Sequence, residues 1–205
     1  MHKFWLTVAA LCVLAPVLGS GAARGAEAPS VTPKDRVLGQ VDAPITIIEY
    51  ASLTCPHCAA FDRDTLPKIR QNWIDTGKAK LVYRDFPLDG WALRAAMVAR
   101  CAPPERYFGF IDALFQGQNA WARPEVDHEQ ALGRIAKLGG ISDDKFQSCI
   151  KDEKMADAIA ASRVVAEKEY GVESTPTFFI NGSKMVGEQS YEAFEKALTA
   201  AQPKT

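Results

Sequence analysis

The sequence has no marked excess of charge of either sign, and it contains few cysteines. Lys and Arg number 24 against 25 Asp and Glu, which gives a formal net charge of -1. Proteins that bind the phosphate backbone of nucleic acids carry clustered basic residues, so no nucleic-acid partner is expected. Five cysteines in 205 residues are too few for a disulfide scaffold, whereas 47% of the residues are hydrophobic. We therefore expect one globular unit that rests on a hydrophobic core.

Long apolar runs are also scarce, and the longest lies at the N-terminus. Lys3 is followed by 15 mostly apolar residues, 4–18, and then by small residues up to Ala23. A permanent membrane helix needs about 20 such residues, so the pattern predicts a cleaved secretory signal, which we place at 1–25. The cysteines left after its removal are Cys55, Cys58, Cys101 and Cys149. An even number of cysteines in an exported chain suggests disulfide bonds.

The periodicity of apolar residues predicts an α/β domain interrupted by helices. A β-branched strand at 45–50, a helix at 56–76 and a second strand at 81–86 predict a right-handed parallel unit. About five helices follow between residues 91 and 170, and a hairpin and a last helix follow between 177 and 200.

The same pattern predicts the domain boundaries. Beyond the signal we expect a short tether (26–36), an α/β domain formed by 37–87 and 171–205, and an all-helical insertion (88–170).

The motif Cys55-Pro56-His57-Cys58 lies where the first strand ends and the first long helix begins. If Pro56 takes the first helical position, Cys55 is the N-cap. Its sulfur can then accept hydrogen bonds from the amides of His57 and Cys58 and meets the positive end of the helix dipole. Both effects favour the thiolate, which is the nucleophile in disulfide exchange. Cys58, one turn into the helix, is expected to face the core.

His57 is expected to add a cation or a hydrogen-bond donor beside the Cys55 thiolate. This would lower the pKa of Cys55 further and favour the dithiol over the disulfide, so the pair would oxidise other thiols. The alternatives are an inert disulfide or half of a zinc site. Zinc needs a second matching pair, and Cys101 and Cys149 lie 48 residues apart, so no metal is expected.

Two further features of the sequence leave alternatives open. Glu49 is a carboxylate in an otherwise apolar strand, and it is either a buried proton acceptor for Cys58 or a side chain on an exposed face. Thr175-Pro176 precedes the third strand, where it forms either a rigid cis corner or an ordinary loop.

Together these residues resemble the DsbA-like thiol:disulfide oxidoreductases of the thioredoxin superfamily. The resemblance covers about residues 37–200 and rests on Glu49 six residues before Cys55, the CPHC motif, the helical insertion and the Thr175-Pro176 segment. It implies a thioredoxin fold with an inserted all-helical subdomain.

The resemblance also implies roles for individual residues. Thr175 and Pro176 would form a cis-proline loop that holds the substrate backbone beside the active cysteines, and Glu49 would be the buried carboxylate near Cys58. Thr175 departs from the valine of the best-known DsbA members and is more similar to isomerases and reductants. Cys101 and Cys149 resemble the second, non-catalytic disulfide of some DsbA-like proteins.

The sequence therefore predicts a monomeric periplasmic enzyme, without a cofactor, that donates the Cys55–Cys58 disulfide to unfolded, reduced exported proteins. A membrane thiol-oxidising partner, DsbB-like or equivalent, would reoxidise it. Isomerases of this superfamily usually need a dimerisation segment, and the tether of eleven residues leaves no room for one. The alternatives are an isomerase or reductant of the same fold, or a non-catalytic periplasmic module that binds a metal or a peptide.

Overall fold

The computed structural model describes residues 1–2 and 28–203. The predicted signal peptide, apart from its first two residues, therefore lies outside the described residues. Among the helices that are described, none is both long enough and apolar enough to cross a membrane.

The described chain contains a five-stranded mixed sheet. Its strands are β1 (Val37–Leu38), β2 (Ile45–Ala51), β3 (Ala79–Asp85), β4 (Thr177–Ile180) and β5 (Ser183–Val186). They lie in the order β1-β3-β2-β4-β5, with β2 parallel to β3 and every other neighbouring pair antiparallel. The strand β1 was not predicted, because two residues are too few to show a periodicity.

A long helix, α1 (56–74), connects β2 to β3. It consists of α-helical and π-helical segments in alternation, namely Pro56–Ala60, Phe61–Thr65, Leu66–Ile69 and Arg70–Ile74. Phe61, Ile69 and Trp73 are buried on the face that packs against the sheet. The β2–α1–β3 unit predicted from the sequence is thus present.

Six helices lie between β3 and β4. They are α2 (Gly90–Cys101), α3 (Tyr107–Gln116), α4 (Gln118–Trp121), α5 (His128–Leu138), α6 (Asp143–Ile150) and α7 (Glu153–Tyr170). The helix α4 was not predicted because it spans a single turn. Side chains of Asp89, Asp127, Ser142 and Asp152 cap α2, α5, α6 and α7 by accepting hydrogen bonds from backbone amides.

The hairpin β4–β5 and the helix α8 (Tyr191–Ala200) complete the described fold. Asn181 and Gly182 connect the two strands with positive φ angles of 44° and 87°, as the Asn-Gly pair predicts for a two-residue turn. The predicted fold class, an α/β domain with a helical insertion, is confirmed.

Side chains of β2 alternate between the two faces of the sheet. Ile45 and Ile47 pack with α1 and α8, whereas Ile48 and Tyr50 pack on the opposite face near α7. Glu49 follows the alternation of Ile45 and Ile47, so its carboxyl group points towards α1. This places an ionisable group in the core beneath the helix that begins with the CPHC motif.

Residues 30–35 of the predicted tether are attached to the sheet. The Arg84 guanidinium of β3 donates to the Ser30 carbonyl oxygen at 2.6 Å and to both Asp35 carboxylate oxygens at 3.0 and 2.8 Å. The Arg84–Asp35 pair is nearly buried. This part of the segment is therefore fixed against β3 rather than a free linker.

Candidate active site

The CPHC motif occupies the junction of β2 and α1. Cys55 is the N-cap of the helix with extended backbone angles, φ -77° and ψ 121°, and Pro56 takes the first helical position. Proline is suited to this position because the amide that it lacks would have no partner within the helix. The Gln118 side chain of α4 donates to the carbonyl oxygens of Leu53 and Cys55 at 2.8 and 3.0 Å. The helical insertion thus holds the loop that precedes the motif.

Cys55 and Cys58 are both free thiols in the structure. Cys58 is fully buried at 0% exposure, and Cys55 retains 5%. In its protonated form, the Cys55 thiol donates a hydrogen bond to the Thr175 carbonyl oxygen at 3.3 Å. Only Cys55 therefore presents a sulfur that an incoming group can reach.

The two thiols differ strongly in acidity. The pKa of Cys55 is lowered from an ordinary value of 9.0 to about 5, mainly by a hydrogen bond from Cys58 that outweighs the opposing effect of burial. Thr175 lowers the Cys55 pKa further. The pKa of Cys58 is raised, first by burial and then by its hydrogen bond and charge interaction with Cys55. At neutral pH, Cys55 is a thiolate and Cys58 a thiol.

The cause of the low Cys55 pKa differs from the one expected from the sequence. The Cys55 side chain makes no capping hydrogen bond at the helix start, and the amides of Cys58 and His57 make smaller contributions than the Cys58 thiol. The sequence pattern points to the helix end as the cause of the low pKa because the local sequence shows which amides begin the helix but not how the two sulfurs lie relative to each other.

The His57 ring lies at the surface, beside Glu188. The ring is 70% exposed, and its Nδ1 lies 3.1 Å from the Glu188 Oε2 atom in the segment between β5 and α8. Among the groups that set the Cys55 pKa, His57 contributes through its backbone amide. The effect of its imidazole on the active site stays a prediction.

Glu49 is buried at 2% exposure, so the exposed alternative for this residue is wrong. Its Oε1 atom has no hydrogen-bond partner. Burial raises its pKa well above the ordinary value, and the charges of Asp62 and Cys55 act in the same direction. Glu49 also raises the pKa of Cys58 through its charge. A carboxyl group and a thiol that both have raised pKa values thus lie near each other.

The Thr175–Pro176 peptide bond is cis. It brings the Thr175 carbonyl oxygen against the Cys55 sulfur, although 120 residues separate them in the sequence. Thr175 and Pro176 are both buried or nearly so, directly before β4. The segment therefore borders the same reactive sulfur that the CPHC motif presents.

Cys101 and Cys149 form a disulfide bond with an S–S distance of 1.98 Å. The bond joins the end of α2 to the end of α6 within the helical insertion. Within residues 1–2 and 28–203, no group of three or more His, Cys, Asp or Glu side chains is arranged to hold a metal ion.

Sequence reasoning missed three residues around the site. Gln118 supports the loop before Cys55, Glu188 faces His57, and Asp62 of α1 is buried at 6% exposure close enough to raise the Glu49 pKa. A signal was available for Asp62, because it follows Phe61 on a helix that was expected to be buried on one side. The other two come from distant segments and carry no local signal.

Comparison with known proteins agrees with this geometry. The sequence profile of the thioredoxin family matches residues 31–200. A Rickettsia bellii protein that is named as a protein-disulfide oxidoreductase is 34% identical over 149 residues, covering 72% of this chain and 57% of the relative. Disulfide bond formation protein D of Bacillus subtilis is 26% identical over 171 residues, covering 79% of this chain and 74% of the relative.

A solved structure shares the fold at higher coverage. The crystal structure of alpha-DsbA1 from Wolbachia pipientis superposes with a TM-score of 0.79 at 37% identity, covering 83% of this chain and 92% of that one. The chain spans little more than half the length of the Rickettsia relatives that it matches. The chain belongs to the thioredoxin superfamily and is a DsbA-like member of it.

Proposed function

We propose that this protein is a periplasmic thiol:disulfide oxidoreductase that introduces disulfide bonds into exported proteins. The observation that carries the proposal is the difference in acidity between the two cysteines of one motif. A Cys55 pKa of about 5 means that reduction of the pair releases a stabilised thiolate. A dithiol that is stabilised in this way gives up its disulfide readily, so the pair oxidises other thiols.

The reaction begins with the oxidised Cys55–Cys58 pair. A substrate thiolate attacks the Cys55 sulfur, the Cys55–Cys58 bond breaks, and Cys58 leaves as a thiolate that takes a proton from Glu49. A second substrate thiolate then attacks the substrate sulfur of the mixed disulfide and expels Cys55 as a thiolate. The substrate loses two electrons to form its disulfide, and the pair gains them.

Attack at Cys55 follows from its position. Cys55 retains some exposure and borders the cis Thr175–Pro176 segment, whereas Cys58 is enclosed. Thr175 and Pro176 are proposed to hold the substrate backbone in an extended form next to the Cys55 sulfur. The substrates are proposed to be unfolded or reduced exported proteins, since a folded surface would reach this sulfur poorly.

Reoxidation completes the cycle and needs a second protein. The reduced pair would pass its two electrons to a membrane thiol-oxidising partner, DsbB-like or equivalent. The proposal includes a monomer in the periplasm, a cleaved signal at 1–25, and an α/β domain (37–87 and 171–205) that is interrupted by a helical insertion (88–170).

The proposal is tested by equilibrating the protein in glutathione buffers and by assaying disulfide formation in a reduced, unfolded substrate protein. We expect the Cys55–Cys58 pair to stay largely reduced even in a fairly oxidising buffer, and the oxidised protein to be consumed as the substrate disulfide forms. A Cys58→Ala variant should accumulate mixed disulfides at Cys55, and a Cys55→Ala variant should not.

Thr175 favours a second candidate, an isomerase or reductant of the same fold, because the residue before the cis-proline affects substrate release. A pair that stays oxidised in strongly reducing buffer would support that candidate. So would a stable dimer that repairs a scrambled substrate faster than it oxidises a reduced one. A protein that exchanges disulfides with neither substrate would instead be a binding module.

A further inference from the structure

A narrow cleft reaches Glu49 from the part of the sheet formed by β1 and β3, whereas the Thr175 segment lies at β4 on the other side of β2. Glu49, Asp62 and Asp112 line it, together with residues of β1 and β3 such as Leu38 and Tyr83. Thr175 precedes β4, on the other side of β2 in the strand order. The cleft has a water-accessible volume of about 20 Å3, which is room for roughly one water molecule. It therefore approaches the buried carboxyl group without crossing the surface at Cys55.

A second, wider cleft adjoins the first. It has a volume of about 220 Å3, and Asp62, Asp112 and Arg70 line both clefts, whereas Glu49 lines only the inner one. Asp62 and Asp112 thus lie between the space that reaches Glu49 and the wider space outside it.

Burial decreases along this series of carboxyl groups. Glu49 is 2% exposed and Asp62 is 6% exposed, whereas Asp112 on α3 is an exposed residue. The Oε1 atom of Glu49 and the Oδ1 atom of Asp62 have no hydrogen-bond partner, although both are buried. Unpartnered buried oxygens are costly, so their presence beside a shared cleft needs an explanation.

The electrostatics make Asp62 able to exchange protons near neutral pH. Burial raises its pKa to about 7, and both the charge of Asp112 and a hydrogen bond shared with it act in the same direction. Arg70, on the same helix, acts in the opposite direction. The other ionisable groups that line the two clefts are Glu49 of β2, Tyr83 of β3 and Asp75, which follows α1. Asp62 can therefore hold and release a proton beside Asp112 at neutral pH.

We propose that Asp62 and Asp112 relay protons between solvent and Glu49 through this cleft. The inference rests on the proposed thiol–disulfide exchange and adds a route for its protons. When the Cys55–Cys58 bond is broken, Cys58 takes a proton from Glu49, Glu49 is reprotonated from Asp62, and the Asp62–Asp112 pair is reprotonated from solvent. When Cys58 attacks Cys55 during reoxidation, the proton travels in the opposite direction. No electron passes through the carboxyl groups.

The route explains how exchange can proceed while a substrate covers Cys55. A protein bound at the Thr175 segment excludes water from that surface, and Cys58 and Glu49 are themselves enclosed. A separate entrance beside α3 leaves the proton path open throughout the reaction.

The test compares Asp62→Asn and Asp112→Asn with the unchanged protein and with Asp64→Asn. Asp64 is an exposed residue of the same helix that pairs with Arg63, so it is a matched control. Stopped-flow mixing of each oxidised protein with a reduced peptide dithiol, in weak buffer with a pH indicator, follows disulfide cleavage together with the proton balance. The dithiol releases two protons when it is oxidised and the protein takes up one at Cys58, so the protein's uptake is obtained as the difference from the two protons released. We expect Asp62→Asn to slow proton uptake about tenfold and to remove the dependence of its rate on pH near 7. Asp112→Asn should show the same change to a smaller extent.

A further variant separates proton relay from a structural role. Asp62→Ala removes the carboxyl group and widens the cleft, so small acids such as formic acid or imidazolium should restore the rate in proportion to their concentration. The titration of the Cys55 thiolate should not change, because Asp62 is not among the groups that set its pKa.

Two results would overturn the relay. One is an Asp62→Asn rate and pH profile equal to those of the unchanged protein. The other is a slow rate that small acids do not restore, together with an altered Cys55 titration, which would indicate a distorted site. If the unchanged protein itself does not exchange with the dithiol, the proposed function fails, which is a different result from either of these.

Discussion

The interaction of the Cys58 side chain with the Cys55 sulfur is the largest of the effects that lower the Cys55 pKa to about 5. The same contact raises the Cys58 pKa. This interaction therefore helps to determine that Cys55 is the nucleophile and that Cys58 stays protonated.

The first prediction follows from this contact. Cys58→Ala removes the donor and should raise the Cys55 pKa by about one to two units, whereas Cys58→Ser keeps a hydroxyl donor and should raise it less. The measurement is the pH titration of thiolate absorbance near 240 nm. Equal midpoints for the two variants and the unchanged reduced protein would show that the helix end alone sets the acidity.

The second prediction concerns His57, whose ring faces Glu188 at 3.1 Å. If the imidazole acts on Cys55 through its charge, His57→Ser should raise the Cys55 pKa and make the pair less oxidising. Glu188→Gln, which removes the facing negative charge, should lower the pKa. Because the ring is exposed and screened by solvent, each change should be below about one unit. An unchanged Cys55 titration in His57→Ser would contradict an effect of the imidazole charge.

The third prediction concerns stability and pH. The folded-state pKa of Cys55 is depressed below the ordinary 9.0, so its thiolate contributes stability that is fully present above pH 9 and is lost as pH falls through about 5. At pH 7 this contribution is about 3 kcal/mol, since one pKa unit corresponds to 1.36 kcal/mol. The free energy of unfolding of the reduced protein, measured relative to the oxidised protein, should fall by about that amount between pH 7 and pH 4.

The comparison of redox forms isolates Cys55 in that experiment. The raised pKa of Asp62 affects both redox forms, and Cys58 stays a thiol throughout the range. The Cys55 charge also raises the Glu49 pKa, so a difference in Glu49 between the redox forms is itself a consequence of Cys55 ionisation. In a reduced Cys55→Ser variant, the free energy of unfolding should not show this fall between pH 7 and pH 4. If it shows the same slope as the unchanged protein, Cys55 is not its source.

The fourth prediction concerns the disulfide between Cys101 and Cys149. It closes a loop across a sequence separation of 48 residues, so replacing both cysteines with alanine should lower the free energy of unfolding by about 4 kcal/mol by the chain-entropy argument. Denaturant unfolding measures the loss. The bond lies within the insertion, and neither Cys101 nor Cys149 is among the groups that set the Cys55 pKa, so the Cys55 titration should stay unchanged. A shifted titration would show that the insertion influences the site through this bond.

Local sequence determined the elements that build the site. Pro56 after Cys55 predicts where the helix begins, and the apolar residues 45–50 predict the strand before it. The Asn181-Gly182 pair predicts the turn between β4 and β5. These signals act over a few residues, through backbone conformation and side-chain periodicity, so they can be read without the fold. The resemblance to DsbA-like proteins added the expectation of a cis peptide bond at Thr175-Pro176.

Tertiary structure decided which group acts on which. The burial of Glu49, the contact of Thr175 with Cys55 and the pairing of His57 with Glu188 join segments that are far apart in the sequence. The two clefts at Asp62 exist only because α1 and α3 pack together. Acidity depends on desolvation and on charges within a few ångströms, and those distances are set by packing rather than by sequence separation. The sequence therefore determined which reactive residues are present and that Cys55 would be the acidic thiol, whereas the fold determined which groups set that acidity and which acids are buried.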